Sequence, residues 1–354
     1  MNPDIKLVTG MKKPKTLLAL LCAFVASSFL LSCESDIDVT AEWKDITIVY
    51  GLLNPNDSVH YLKINKAFLG DGNAIEYAKE SDSMSYFGNL EVNLTEIYSN
   101  GATRTLQFDT VTLQKNPGVF ADKQIFYKSA FKMPVLLDDD RTVTYKLLVR
   151  NKLTGKEVKS ETVLVHDFRI SSPRPGQPTI DFLTDNSQQV KWQSAPNARR
   201  YDVFVRFIFQ EVFNQTDTTD RYIDWVLGTT RSNTLKGDED MVMPYIPTSI
   251  YEIAASLIPY TDSQKEASVT SRLVDKVVYT VVASGDELNK YLDINGPTSG
   301  IIQDRPEYTN IENGLGLFST RFENFQNPIM IGAQTEAQFI IRKPQLKFVD
   351  KIGN

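Results

Sequence analysis

The chain has 354 residues, a formal charge of −6, two cysteines and two histidines. That balance excludes a general nucleic-acid binder, which presents a positive surface, and leaves too few histidines and cysteines for an ordinary zinc centre. A chain this long buries an ample core without disulfides, and its fifteen tyrosines and nineteen phenylalanines suit strands.

The first element is an export signal over residues 1–32, with Met11 as the better start. Lys12, Lys13 and Lys15 form a positive leader, and residues 17–31 are apolar and uncharged. That run is short of the ~20 residues a spanning helix needs. Leu30-Leu31-Ser32-Cys33 has the form of a bacterial lipobox, so cleavage before Cys33 and acylation of its thiol are expected. An ordinary secretory signal that happens to end near a cysteine is the plainer alternative. Cys22 lies inside the apolar run and would be discarded. Four lysines and one aspartate precede Cys33, so the processed chain carries −9. The acyl chains would hold it to a bilayer at ~0.8 kcal/mol per buried CH₂.

Residues 33–42 read as a lipidated acidic tether containing Glu34, Ser35, Asp36 and Asp38. Residues 43–170 then alternate strand-like runs with turns. Runs at 46–50, 59–64, 90–97, 143–149 and 157–165 show period-two alternation, which buries one face and wets the other. Ser99-Asn100-Gly101 and 151–155 mark hairpins. The aspartates 138–140 lack the spacing of a calcium loop and read as a turn. The expected product is an N-terminal β-sandwich.

The prolines and glycine of 171–178 mark a domain edge. Residues 171–283 are expected to form a second sandwich with a long insertion around 210–247. Val190-Lys191-Trp192 and the strand opening at Tyr201 resemble adjacent strands of a fibronectin III or immunoglobulin-like domain, whose rings fill the space between sheets ~10 Å apart. Runs 250–258 and 277–282 read as further strands. Ser284-Gly285-Asp286-Glu287 reads as a capping box opening a short helix to about Leu292. It begins a C-terminal helical and irregular extension, 284–354, whose apolar tail from 337 to 349 is limited to a sheet edge by Pro344. The fold class expected is therefore all-β: two consecutive sandwiches, the second fibronectin III/immunoglobulin-like, with a short extension.

Little in this chain points to catalysis. His60 and His166 stand alone, and nucleophile-elbow, dinucleotide and phosphate-loop patterns are missing from the sequence. His166 beside Asp167 is a weak acid–base pair and reads as a strand end. No catalytic residue, metal or cofactor is expected. Paired carboxylates keep a hydrolase as the lesser alternative. Tyr222, Trp225 and Tyr245 are the aromatics expected at an interaction surface, with burial in the core as the plainer alternative.

Three stretches carry a family resemblance: residues 48–55 (IVYGLLNP), 201–207 (YDVFVRF), and 307–318, with Asn310, Ile311, Gly314, Gly316 and Phe318 in an Asn-Ile-x-x-Gly-x-Gly-x-Phe motif. Together with the acids after Cys33, they resemble a Bacteroidota outer-membrane lipoprotein family of unknown function, often encoded near TonB-dependent transporters. In this chain Glu34 directly follows the cysteine and Ile37 interrupts the acids, a departure from the surface-export signal. The resemblance implies a non-catalytic scaffold or interaction subunit, lipid-anchored to the outer membrane and facing the cell surface or the periplasm. Its implied partner is an outer-membrane β-barrel, a SusC-like transporter or an assembly or secretion barrel. Capture of a glycan or peptide for uptake is the alternative.

Overall fold

The computed structural model describes residues 46–67, 85–114, 123–137, 141–213, 217–259, 268–296 and 307–350. They belong to one contact unit, Asp45–Phe68 with Gly72–Asn354. The other unit, Met1–Lys44 with Leu69–Asp71, lies outside the described residues. So do the expected signal, Cys33, Glu34, Ser35, Asp36, Asp38 and the aspartates at 138–140.

The first half of the chain builds β1 (Ile46–Leu53), β2 (Val59–Ala67), β3 (Leu90–Tyr98), β4 (Thr103–Gln114), β5 (Lys123–Ala130), β6 (Val143–Asn151) and β7 (Glu157–Val163). The expected runs become strands because their alternate residues are apolar: Val92 and Leu94 of β3 and Tyr145, Leu147 and Val149 of β6 point into one core with Val49, Leu62 and Phe318. The hairpin at 99–101 joins β3 to β4, and β6 pairs with β7.

The second half supplies β8 (Ile170–Ser172), β9 (Thr179–Ile180), β10 (Gln188–Gln193), β11 (Ala198–Phe213), β12 (Asp217–Arg231) and β13 (Asp240–Tyr245). After helix α1 (Ser249–Leu257) come β14 (Val269–Gly285), helix α2 (Asp286–Asn295), β15 (Gly314–Phe325), β16 (Ile329–Ile331) and helix α3 (Ala333–Arg342). Trp192 and Tyr201 do share a core, with ring centroids 5.6 Å apart. That core also takes Phe207, Tyr279 and, from α3, Phe339.

The two-sandwich, immunoglobulin-like expectation is corrected by the sheet itself. Among the described residues, 13 strands form one mixed sheet in the order β12-β11-β14-β15-β1-β2-β5-β4-β3-β6-β7, with β16 and β9 attached at β14; β13-β10-β8 form a separate small sheet. The joint is β15. Its first half runs parallel to β1, Gly314 opposite Thr47 through Thr320 opposite Leu53. Its second half runs antiparallel to β14, Arg321 opposite Ser284 through Phe325 opposite Thr280. One strand therefore belongs to both halves, and neither closes as a sandwich of its own.

Three further expectations are corrected in detail. Residues 250–257 form helix, not strand: Ile250, Tyr251 and Ala254 are buried, a helical spacing, and the Ala-Ala pair favours it. The tail beyond 337 continues α3 and a 3₁₀ turn at Pro344–Leu346 in place of an edge strand. Asp181 caps α3 from a distant segment, its Oδ1 accepting the Thr335 N–H at 3.0 Å and the Thr335 hydroxyl at 2.8 Å. The supposed insertion at 210–247 is the end of β11 with β12 and β13, the first two forming a long hairpin.

Candidate functional site

The motif residues form a structural clamp. Phe318 pairs with Gly51 of β1, and the Asn310 carboxamide takes its main-chain groups: the Phe318 N–H donates to Oδ1 at 2.9 Å and Nδ2 donates to the Phe318 carbonyl at 2.6 Å. A side-chain amide thus stands in for a neighbouring strand. Ile311 enters the first core. Gly316 has φ +111°, and a Cβ there would lie 2.0 Å from the Val49 carbonyl oxygen; one on Gly314 would lie 2.6 Å from that of Thr47. The glycines therefore let β15 approach β1. Ser160 Oγ donates to the Asn310 carbonyl at 2.7 Å, and Lys159 and Glu312 exchange main-chain hydrogen bonds, so β7 folds back onto this same segment.

A carboxylate missed by the sequence reading as a site sits at this seam. Glu287, in the first turn of α2, accepts from Ser319 Oγ at 3.3 Å and Thr162 Oγ1 at 3.4 Å. Burial raises its pKa above the ordinary carboxylate value. The sequence marked it only as a capping residue, although the helix N-cap, Gly285, has no side-chain cap bond.

The three aromatics expected at an interface are separated by strand parity. Trp225 is buried, and Tyr245 packs against the same core, its hydroxyl 3.0 Å from that of Tyr279. Tyr222 lies on the opposite face and is 59% exposed. On that outward face β11 carries Phe204, Arg206 and Ile208. Strand register places Val226 and Thr280 on either side of Phe204, and Phe325 beside Thr280. Val226 and Phe325 are 72% and 61% exposed. Below this row Arg206 holds Asp224 through two hydrogen bonds at 2.8 and 2.9 Å and stacks over Tyr222 at 4.1 Å. The Asp224 hydrogen bond raises the Arg206 pKa. The exposed apolar and aromatic residues are thus Val226 and Tyr222 beside half-buried Phe204, with a fixed ion pair as their polar neighbour, and Phe325 beyond Thr280, which is itself buried.

Two cavities touch Arg169, and the larger lies between the two halves. One, about 440 Å³, is lined by Leu136, His166, Asp167, Gln193, Ser194 and Lys236 among others. Asp167 is engaged structurally, its Oδ1 accepting the Phe168 N–H at 2.6 Å and Asn324 Nδ2 at 3.0 Å. The other, about 280 Å³, lies between the turn after β8 and the end of β15. Among the described residues no helix is long and apolar enough to cross a membrane, and no group of three or more His, Cys, Asp and Glu could hold a metal ion.

No family model matches the chain, and no curated protein does. Among solved structures it is similar to the C-terminal globular domain of an oligosaccharyltransferase from Pyrococcus abyssi, at 10% identity and a TM-score of 0.27, covering 82% of this chain and 50% of that one. The chain thus spans half the length of that structure, and a likeness at this score carries no argument about fold or activity.

Proposed function

We propose that this chain is a non-catalytic interaction subunit, lipid-anchored at Cys33 to an outer membrane, that docks on a β-barrel partner. The observation that supports this reading is the outward sheet face, where exposed Val226 pairs with half-buried Phe204 near exposed Tyr222, and exposed Phe325 lies beyond buried Thr280. Exposed apolar side chains beside the Arg206–Asp224 pair have the composition of an interface with a polar neighbour. Isolation of the tagged chain from its native membrane in mild detergent tests it. A stoichiometric barrel should accompany the wild type and be lost from a Tyr222→Asp/Val226→Asp variant that still folds. Recovery of the wild type alone across several detergents would sink the proposal.

A second reading, capture of a ligand, is favoured by the cavity of about 440 Å³ between the halves, because ligand sites prefer clefts between packed bodies.

A further inference from the structure

The large sheet ends on β12. Among the described residues β11 is its one strand partner, and the small sheet meets its core face, where Trp225 packs on Tyr245 at 5.7 Å. The register shows which residues face the open side. The Gln326 N–H donates to the Tyr279 carbonyl at 3.0 Å, on the side of β14 away from β11. The Val205–Tyr279 pair therefore exchanges no hydrogen bonds, and Val205 turns its main-chain groups towards Trp225, its partner on β12. Pairing runs without a shift from there to Phe213 opposite Asp217. By alternation Thr218, Asp220, Tyr222, Asp224 and Val226 turn their N–H and C=O groups to the open edge.

Proteins close such an edge with lysine, proline or a bulge. Residues 217–226 contain neither lysine nor proline, and the one register shift in β12 lies beyond them, between Val226 and Gly228. The charges select the occupant. Arg206 is paired with Asp224, and Arg221 with Glu211. Asp220 accepts from Gln210 Nε2 at 2.9 Å, and neither it nor Asp217 has a cationic partner among the described residues. A second copy of this edge would bring like charges together, whereas a basic strand meets them favourably. The exposed side chains of Tyr222 and Val226 project from this same strand, so a strand added here extends the docking face. A closed barrel has no free edge, so the added strand comes from a loop or a terminus of the partner.

We infer that β12 receives an extended segment of the docking partner as a further strand, with apolar side chains opposite Tyr222 and Val226 and a lysine or arginine opposite Asp220. Main-chain hydrogen bonds hold such a segment, and its alternate side chains select it. This deepens the docking reading and rests on it.

The test compares the tagged chain isolated from its native membrane with its barrel and the same chain freed of the barrel, by hydrogen exchange read at single amides. The barrel should slow exchange at Asp220, Tyr222 and Asp224 at least a hundredfold and leave Arg221 and Ile223, already bonded to β11, unchanged. Thr218→Pro/Asp220→Pro removes edge-facing N–H groups and leaves the β11 ladder intact; it should lower barrel recovery at least tenfold. Circular dichroism checks that this variant folds, and should it not fold, exchange in the wild type decides. Unslowed exchange at the three amides in the barrel-bound chain overturns the inference, as does full barrel recovery by a folded proline variant. Either result leaves the docking reading standing, because Tyr222→Asp/Val226→Asp tests that through side chains alone. Recovery of the wild type without a barrel overturns both.

Discussion

Replacing Asn310 by alanine isolates the clamp that joins the two halves of the sheet. The carboxamide satisfies the N–H and the carbonyl of Phe318 at 2.9 and 2.6 Å, and Phe318 is fully buried. Truncation leaves both main-chain groups unpaired where water cannot reach them. At about 1–3 kcal/mol for each orphaned group, the loss is about 2–6 kcal/mol against a total stability of about 5–15 kcal/mol. Urea unfolding followed by tryptophan fluorescence and far-UV circular dichroism measures it, as a fall in midpoint at unchanged slope. Asn310→Asp sharpens the test. It keeps the acceptor for the Phe318 N–H but sets a second carboxylate oxygen against the Phe318 carbonyl. Near neutral pH it should be at least as unstable as the alanine variant, recovering at acid pH when the carboxyl can donate. A change below about 0.5 kcal/mol for Asn310→Ala, the range of an ordinary surface substitution, would refute the clamp.

Gly316→Ala adds a methyl 2.0 Å from the Val49 carbonyl oxygen at a positive φ; strain plus overpacking should cost more than about 3 kcal/mol, seen as loss of soluble folded protein. Gly101→Ala, at positive φ but with open space around it, should cost about 1–2 kcal/mol and remain soluble. Arg272 is fully buried and donates to Glu211 Oε1 at 2.9 Å and to the Leu346 carbonyl at 3.0 Å. Arg272→Met should therefore cost about 1–3 kcal/mol for each acceptor left unpaired, Glu211 Oε1 and the Leu346 carbonyl, with Arg221 still donating to Glu211 Oε2 at 3.0 Å, and it is read as a fall in melting temperature. Glu287 has its folded pKa raised by burial, so its contribution to stability is complete below the unfolded value, about 4.3, and is lost as pH rises through the folded one. Glu287→Gln should match the wild type at acid pH and exceed it increasingly towards neutrality in thermal melts; a constant gap across pH would exclude this origin.

The strands were legible wherever one face is buried and the other wet. β3, β6 and β11 alternate apolar and polar residues, and their periodicity is a local property of the chain. The sheet that joins them was not legible, because it depends on residues 314–320 lying parallel to 47–53, a pairing with no local signature. The helices at 249–257 and 333–342 were hidden for another reason. Short apolar runs such as 250–258 fit either period until tertiary packing selects one. For the candidate site, sequence separated Tyr222 from Trp225 by three residues but could not say which parity faced the core. The opposing row became visible only when register placed Phe204 between Val226 and Thr280. The motif glycines were conspicuous in the sequence, and their role as points of close strand approach came from the carbonyls of Thr47 and Val49 opposite them.

The position of β15 imposes an order on assembly. As the chain emerges from its N-terminus, β1 is available early and waits for a partner more than 260 residues downstream; β14 likewise waits across α2 for residues 321–325. Until β15 arrives, both present unsatisfied edges, and contacts of such long sequence separation form slowly. The body therefore acquires its final form only near the end of synthesis, and a chain cut short after β14 retains two open edges prone to pairing with other molecules. The last large strand acts as a latch on the whole sheet, so completeness of the polypeptide is a condition of its solubility as well as of its shape.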